Sequence, residues 1–258
     1  ASVSVPEAAG GGINAAEAAN GVPVVVTLPA DAAVGDIITV SIDGGTPVTY
    51  TVTANDMDPT LNPGGTVSVT LPQSAIAAAG EGAATITTSY TDAAGNPAAN
   101  SPISTTGIHI DTQGPAAASV SVPEAAGGGI NAAEAADGVP VVVTLPAGAA
   151  AGDVITVSID GSTPVTYTVT ANDVNLVTNP GGTVSVTLPQ SAITAAGQGA
   201  AVITTTYADA AGNPATGTPL TTNLTIDTQG PGTPSVAVPE SAGGGINAAE
   251  AADGVPVV

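Results

Sequence analysis

Hydrophobic and polar residues alternate along most of this chain with the two-residue period of β-strands. Ile38, Val40 and Ile42 share one face of a segment whose other face carries Thr39 and Ser41. The same alternation recurs in short runs, rich in Val, Ile and Thr, that favour strands over helices. The predicted strands of the first copy of this pattern include Val3 and Val5, then 22–28, 36–42, 48–53, 67–71, 84–90 and 108–110.

Turn-forming residues separate these segments. Asp43-Gly44-Gly45 is typical of a hairpin, and Asn62-Pro63-Gly64-Gly65 of a wider loop. Residues Gln73–Ala79 are expected to form one helical turn. Seven short strands in about 110 residues favour a Greek-key β-sandwich of immunoglobulin type. We therefore expect an all-β chain.

The pattern occurs twice and begins a third time. Ile13–Glu17 returns as Ile130–Glu134 and again as Ile246–Glu250. A long repeat with a recurring linker indicates tandem copies of one autonomous domain. We expect a linear array with one immunoglobulin-like unit over residues 1–115, a second over 116–231, and the truncated start of a third over 232–258.

The composition narrows the range of partners. The chain has 21 Asp and Glu residues and neither Lys nor Arg, so its formal net charge is −21. Nucleic acids and anionic membranes are thereby excluded as electrostatic partners, since both require cationic side chains. No apolar stretch is long enough to insert into a bilayer. The absence of cysteine excludes disulfides, and the strand pattern with 43% hydrophobic residues favours folded domains over disorder.

Catalysis is not expected. Nucleophilic catalysis needs an activated side chain beside a base, and His109, the only histidine, is replaced by Thr225 in the second copy. Paired carboxylates of the glycosidase type would also need a sugar-binding cleft, which the four Tyr residues in strands do not provide. His109 alternates with Ile108 and Ile110, so we expect it to face solvent.

Three motifs resemble the bacterial immunoglobulin-like repeats of giant RTX, or biofilm-type, adhesins. They are Ile-Asn-Ala-Ala-Glu-Ala-Ala-Asp/Asn-Gly before a Val-rich strand, Tyr-Thr/Ala-Asp-Ala-Ala-Gly-Asn-Pro before the last strand, and the linker Ile110–Pro115. The resemblance implies a secreted, calcium-stiffened extender on the bacterial surface that holds a distal ligand-binding domain away from the cell. One departure is Gly10–Gly12, where many such repeats have an acid or Asn.

Acids that recur in both copies are candidate calcium ligands, whereas an acid such as Asp31, which is Gly148 in the second copy, is expected to be surface charge. In a seven-strand sandwich the bottom of one unit faces the top of the next, and Ca²⁺ takes six to eight oxygen ligands. Glu7 and Glu124 are weaker candidates near that junction. The predicted ligands are Asn14, Glu17, Asp36, Asp92, Asp111, Asn131, Glu134, Asp153, Asp209 and Asp227.

A different interpretation of these acids stays open, in which they only solvate the tips of loops. Asp43 and Asp160, each beside a glycine, favour turn residues. Asp56 and Asp173 are compatible with either role. The stretch Asp92–Asn96 can equally close a turn through backbone amides. If calcium does bind, chelation is expected to lower the melting temperature.

Two non-enzymatic functions fit the sequence. The first is a spacer, a monomeric rod of sandwiches roughly 30–40 Å long each, whose partners are calcium ions and neighbouring repeats. The second is a module that itself binds glycan, ice or another copy of the chain, for which the outward row Thr49, Thr51 and Thr53 is the candidate surface. Alternating Thr is also the ordinary solvent face of a strand, so the spacer is favoured.

Overall fold

Each of the two copies folds as a sandwich of two antiparallel sheets in the computed structural model, which describes residues 2–258 and leaves out Ala1, the first residue of the first predicted unit. The first sandwich contains β1 (Ser2–Ser4), β2 (Val22–Thr27), β3 (Ile37–Ile42), β4 (Val48–Thr51), β5 (Thr66–Leu71), β6 (Gly82–Thr91) and β7 (Ile103–Ile110). The second contains β8 (Ser119–Ser121), β9 (Val139–Thr144), β10 (Val154–Ile159), β11 (Val165–Thr168), β12 (Thr183–Leu188), β13 (Gly199–Ala208) and β14 (Leu220–Ile226). The predicted all-β, immunoglobulin-like fold is confirmed.

The strand order is the same in both sandwiches. A three-stranded sheet β1-β2-β5 packs on a four-stranded sheet β4-β3-β6-β7, and β8-β9-β12 packs on β11-β10-β13-β14. The chain crosses between sheets from β2 to β3, from β4 to β5 and from β5 to β6, which gives the Greek-key connectivity. As a result, the last strand, β7, ends at the end of the sandwich where β2 begins, which is called its bottom.

Aliphatic side chains fill the space between the sheets, as the alternation predicts. Val22, Val24 and Val26 of β2 are fully buried, and so are Ile38 and Val40 of β3. Burial of each such side chain contributes about 1.5–3 kcal/mol. The corresponding residues of the second copy line a separate core, so each sandwich is stabilised by its own hydrophobic interior.

Short helices accompany the strands. They are α1 (Ala15–Asn20), α2 (Gln73–Ala79), α3 (Ala132–Asp137), α4 (Gln190–Ala196) and α5 (Ala248–Asp253). The predicted turn at Gln73–Ala79 is present as α2. The sequence analysis did not predict α1, which begins with a reciprocal capping box between Asn14 and Glu17. Because such a box satisfies two backbone N–H groups, it explains why a helix of six residues forms here.

The third copy begins with the same local structure. Ala237 and Val258 exchange two backbone hydrogen bonds of 2.7 and 3.0 Å, at the positions that correspond to the Ser4–Val25 pair of the first copy. Ile246 is 49% exposed there, whereas its counterpart Ile13 is fully buried. The opening segment thus has the same local hydrogen bonds as in the first copy, and the Ile246 side chain has no core to enter in the described part of the chain.

Candidate functional site

The junction between the two sandwiches brings together the bottom of the first and the top of the second. At the bottom, the start of α1 lies beside the chain exit, because the Ile13 N–H donates to the His109 carbonyl (2.7 Å) and the Asp111 N–H donates to the Ile13 carbonyl (3.0 Å). At the top, the loop Asp209–Pro214 follows β13. The predicted meeting of these two ends is what the structure shows.

Local hydrogen bonds shape the loop of the second sandwich. The Asn213 N–H donates to Asp209 Oδ1 (2.8 Å), and the Gly212 N–H donates to the Asp209 carbonyl (3.0 Å). Gly212 has φ +96°, a left-handed conformation that glycine adopts without steric cost. This tight turn directs the Asn213 side chain toward the first sandwich.

Asn213 makes two of the hydrogen bonds that cross the junction. Its Nδ2 donates to the Asp111 carbonyl of the linker (2.7 Å), and its Oδ1 accepts from the Ala15 N–H at the start of α1 (2.8 Å). Beside it, Asn14 Nδ2 donates to the Ala211 carbonyl (3.0 Å). The first sandwich is thus hydrogen-bonded to the second through backbone groups and two asparagine amides.

The linker adds contacts with the second sandwich. The Thr216 N–H donates to the Pro115 carbonyl (3.0 Å). A side chain on Gly114 would overlap the Pro214 carbonyl oxygen, and one on Gly11 would stand 2.5 Å from the Ala210 carbonyl oxygen. Glycine is therefore required at both positions by the close approach of two backbones, a reason that the sequence pattern alone did not reveal.

The corresponding groups elsewhere in the chain have no such neighbours. Asn96, the counterpart of Asn213 at the top of the first sandwich, is exposed, whereas Asn213 is 2% exposed. Gly128 and Gly230, the counterparts of Gly11 and Gly114, have nothing within 4 Å of an added Cβ. The burial at the junction hence results from docking and not from the fold of either sandwich.

Four of the predicted calcium ligands form capping boxes. Asn14 Oδ1 accepts from the Glu17 N–H (3.0 Å), and Glu17 Oε2 accepts from the Asn14 N–H (2.9 Å). Asn131 and Glu134 repeat this arrangement at the start of α3. The Asn-x-x-Glu spacing of these residues is that of a capping box at a helix N-terminus.

Asp36 and Asp153 are buried beneath the top of each sandwich. Asp153 is 2% exposed, and its Oδ2 accepts from the Tyr207 hydroxyl (2.5 Å) and from the Ala150 N–H (2.9 Å). Asp36 Oδ2 accepts the corresponding hydrogen bonds of the first copy, from the Tyr90 hydroxyl and the Ala33 N–H. Burial, together with the hydrogen bond to Asp153, raises the pKa of Tyr207 well above its usual range. The hydroxyl therefore stays protonated and donates to the carboxylate.

The remaining predicted ligands lie in loops. Asp92 Oδ2 accepts from Asn96 Nδ2 (2.7 Å), and this hydrogen bond lowers the pKa of Asp92. Asp209 makes the equivalent contact with Asn213 (2.9 Å). Asp111 and Asp227 each accept a long hydrogen bond, of 3.4 and 3.2 Å, from the amide two residues later. Of the predicted set, the junction brings together Asn14, Glu17, Asp111 and Asp209.

These residues do not fit a calcium ion as they are arranged. Ca²⁺ requires six to eight oxygens, but the oxygens at the junction are hydrogen-bonded to amide groups. The Asp111 carbonyl and Asp209 Oδ2 accept from Asn213 Nδ2, and the Ala211 carbonyl accepts from Asn14 Nδ2. Across residues 2–258 no three Asp, Glu or His side chains approach closely enough to hold an ion. Calcium binding by the chain stays a prediction for which the junction offers no assembled ligand set.

Acids outside the junction have local partners too. Asp43 lies in the β3–β4 turn with φ +46°, as predicted for a turn residue. Asp173 Oδ2 accepts from the hydroxyl and the N–H of Thr170, which lowers the pKa of Asp173. An exception is Glu7, whose Oε2 is buried without a hydrogen-bond partner. His109 is exposed on β7, as expected.

Comparison with known proteins gives two bacterial adhesins among similar structures. No protein-family model and no curated protein matches the sequence. A structure described as a Ca²⁺-stabilised adhesin that helps an Antarctic bacterium reach out and bind ice is 33% identical, with a TM-score of 0.40, over 100% of this chain and 56% of that one. The structure of a 1.5-MDa bacterial ice-binding adhesin is 25% identical, with a TM-score of 0.37, over 88% of this chain and 65% of that one. The FN1–FN3 domains of chicken CNTN1 are 11% identical, with a TM-score of 0.42, over 88% of this chain and 66% of that one.

The chain spans less than two thirds of the length of both adhesin chains. Within residues 2–258, no helix has the length and hydrophobicity needed to cross a bilayer.

Proposed function

We propose that this chain is a segment of the extender region of a bacterial surface adhesin. Its units are residues 1–115 and 116–231, followed by the start of a third at 232–258. The segment lies outside the cell and sets the distance and direction at which a distal ligand-binding domain is held. Its work is mechanical, and no residue acts on a substrate.

The observation that carries this proposal is that both complete copies contain the two loops from which the junction is built. The loop Asp92–Pro97 on the free top of the first sandwich has the same sequence pattern, Asp-Ala-Ala-Gly-Asn-Pro, as Asp209–Pro214. The free bottom of the second sandwich carries Asn131–Glu134, identical to Asn14–Glu17. Each unit thus has both halves of the joint, so the same docking can recur along an array of any length.

The charge supports the same function. With 21 acidic residues and no cationic ones, units that are not docked repel each other, which opposes aggregation among many near-identical domains. Carboxylates such as those of Glu17, Asp92, Asp153 and Asp173 accept hydrogen bonds from backbone N–H groups, hydroxyls or amides, so these groups have partners although the chain has no Lys or Arg.

Proteins with different numbers of repeats test the spacer function. Proteins with one, two and three copies of residues 1–231 in series are imaged by electron microscopy after rotary shadowing. A spacer with fixed joints predicts an end-to-end length that grows in proportion to the number of copies. Growth with the square root of that number, as for flexibly linked units, would rule out a stiff extender.

A direct binding function has one structural feature in its favour. Thr49 and Thr51 are exposed on the edge strand β4, and Thr166 and Thr168 on β11. Saturable binding of this chain on a glycan array, lost when these four residues are replaced by Ala, would favour a ligand-binding module over a spacer.

A further inference from the structure

The Asn213 amide has nearly all of its hydrogen-bonding capacity engaged at the centre of the junction. Nδ2 donates to the Asp111 carbonyl (2.7 Å) and to Asp209 Oδ2 (2.9 Å), while Oδ1 accepts from the Ala15 N–H (2.8 Å). An asparagine side chain offers two donor hydrogens and one acceptor oxygen. Both donors and the acceptor are used, and the side chain is 2% exposed.

We propose that Asn213 fixes the relative orientation of the two sandwiches and that its amide takes the bridging role that a metal ion would otherwise have. Nδ2 joins one oxygen from each side, a neutral carbonyl of the linker and a carboxylate of the second sandwich. The angle between the sandwiches is then fixed by protein groups alone and does not depend on calcium. This inference rests on the proposed spacer function, because it states how the spacer keeps its shape.

The chemistry explains why an amide suits this position. Two acceptor oxygens repel each other across a dry interface unless a donor or a cation lies between them. The NH₂ group supplies two donors without adding charge, and the carbonyl end of the same side chain accepts from α1. An aspartate of the same shape would lack both donors and would place a second carboxylate beside Asp209.

The chain contains its own control. Asn96 makes the same local hydrogen bonds to Asp92, at 2.8 Å from its N–H and 2.7 Å from its Nδ2, as Asn213 makes to Asp209. Asn96 is exposed and has no second sandwich above it within this chain. Asn96→Asp therefore reports the cost of altering the loop, and any additional effect of Asn213→Asp belongs to the junction.

The test is a distance measurement across the junction. The chain has no cysteine, so Thr49→Cys and Thr166→Cys place one spin label on the exposed edge strand of each sandwich. Pulsed electron–electron double resonance gives the distribution of distances between the labels in EDTA and in millimolar calcium. Circular dichroism confirms that each variant retains its strands, and Asn213→Ala serves as a second variant that removes the amide without adding charge.

We expect a single narrow distribution for the parent chain and for Asn96→Asp, unchanged between EDTA and calcium. Asn213→Asp and Asn213→Ala should lose that narrow peak in EDTA. The inference is overturned if the parent chain broadens in EDTA, or if both Asn213 variants stay as narrow as Asn96→Asp. If the distance distribution of the parent chain broadens only in EDTA, the spacer function stands but metal ions fix the junction. If the distribution is broad in both conditions, the spacer function is overturned as well.

Discussion

Replacing Gly114 with Ala should undock the two sandwiches while leaving each one folded. An added Cβ would overlap the Pro214 carbonyl oxygen and lie 3.1 Å from its carbon. The linker must then retreat by about 1 Å before the contact becomes an ordinary van der Waals contact. Gly114 does not have a positive φ, so alanine brings no backbone strain of its own.

The retreat breaks two hydrogen bonds of the junction. The Thr216-to-Pro115 bond (3.0 Å) and the Asn213-to-Asp111 bond (2.7 Å) would both exceed hydrogen-bonding distance. At about 0.5–1.5 kcal/mol net for each bond, docking loses roughly 1–3 kcal/mol. The ratio of docked to undocked molecules then falls about 5- to 150-fold.

Backbone ¹⁵N relaxation measures this directly, because docked sandwiches tumble as one body and undocked ones tumble separately. The matched control is Gly230→Ala, at the corresponding position after the second sandwich, where nothing lies within 4 Å of the new Cβ. If Gly114→Ala tumbles as slowly as Gly230→Ala, the close approach of the linker to Pro214 does not hold the junction, and the reasoning fails.

Two further substitutions test the interior and the linker. Thr205→Val should raise the free energy of unfolding in urea by about 1 kcal/mol, because the Thr205 hydroxyl is buried without a partner; an equal or lower stability would mean that the hydroxyl is bonded in solution. Glu81→Gln should leave the free energy of unfolding at pH 7 nearly unchanged. The second copy has Gln198 at this position, and Gln198 is hydrogen-bonded to Thr228 as Glu81 is to Thr112. Hydrogen bonds from Thr112 lower the pKa of Glu81, so its stabilisation is present above the unfolded pKa and is lost as the pH falls through the folded one. The variant should therefore lose less stability than the parent between pH 5 and pH 3, and an unaltered acid response would contradict this assignment.

Most of the fold could be predicted from the sequence because strand alternation is a local signal. Seven strands, the α2 turn and the meeting of bottom and top loops all follow from residue patterns and immunoglobulin topology. The helix α1 was missed although its signal was present, since Asn14 and Glu17 have the spacing of a capping box. Their recurrence and their position at the junction favour metal ligands equally, so the sequence alone does not separate the two roles.

The partners of the acids could not be predicted from composition. The absence of Lys and Arg excludes conventional salt bridges but does not identify the donors that take their place. The structure supplies other donors, such as the Tyr207 hydroxyl for Asp153 and the Thr170 N–H for Asp173. These contacts depend on three-dimensional proximity, and no periodic pattern encodes them. Tyr207 and Asp153, for example, are 54 positions apart in the sequence.

Asn213 is absent from the predicted ligands, although that set includes two other asparagines, Asn14 and Asn131. Its motif, Asp-Ala-Ala-Gly-Asn-Pro, was recognised in both copies, but the same sequence is exposed in one copy and buried in the other. Whether such an asparagine is structural or free depends on what docks above it. That information lies in the arrangement of the units and not within either repeat.

Small-angle X-ray scattering of the whole chain at physiological ionic strength, first in millimolar calcium and then in EDTA, tests the central claim most directly. A junction fixed by Asn213, the linker and α1 predicts superimposable profiles, both consistent with two docked sandwiches. A profile in EDTA that shows a bent or more flexible molecule would contradict this account, because metal ions and not the hydrogen bonds of Asn213 would then fix the junction.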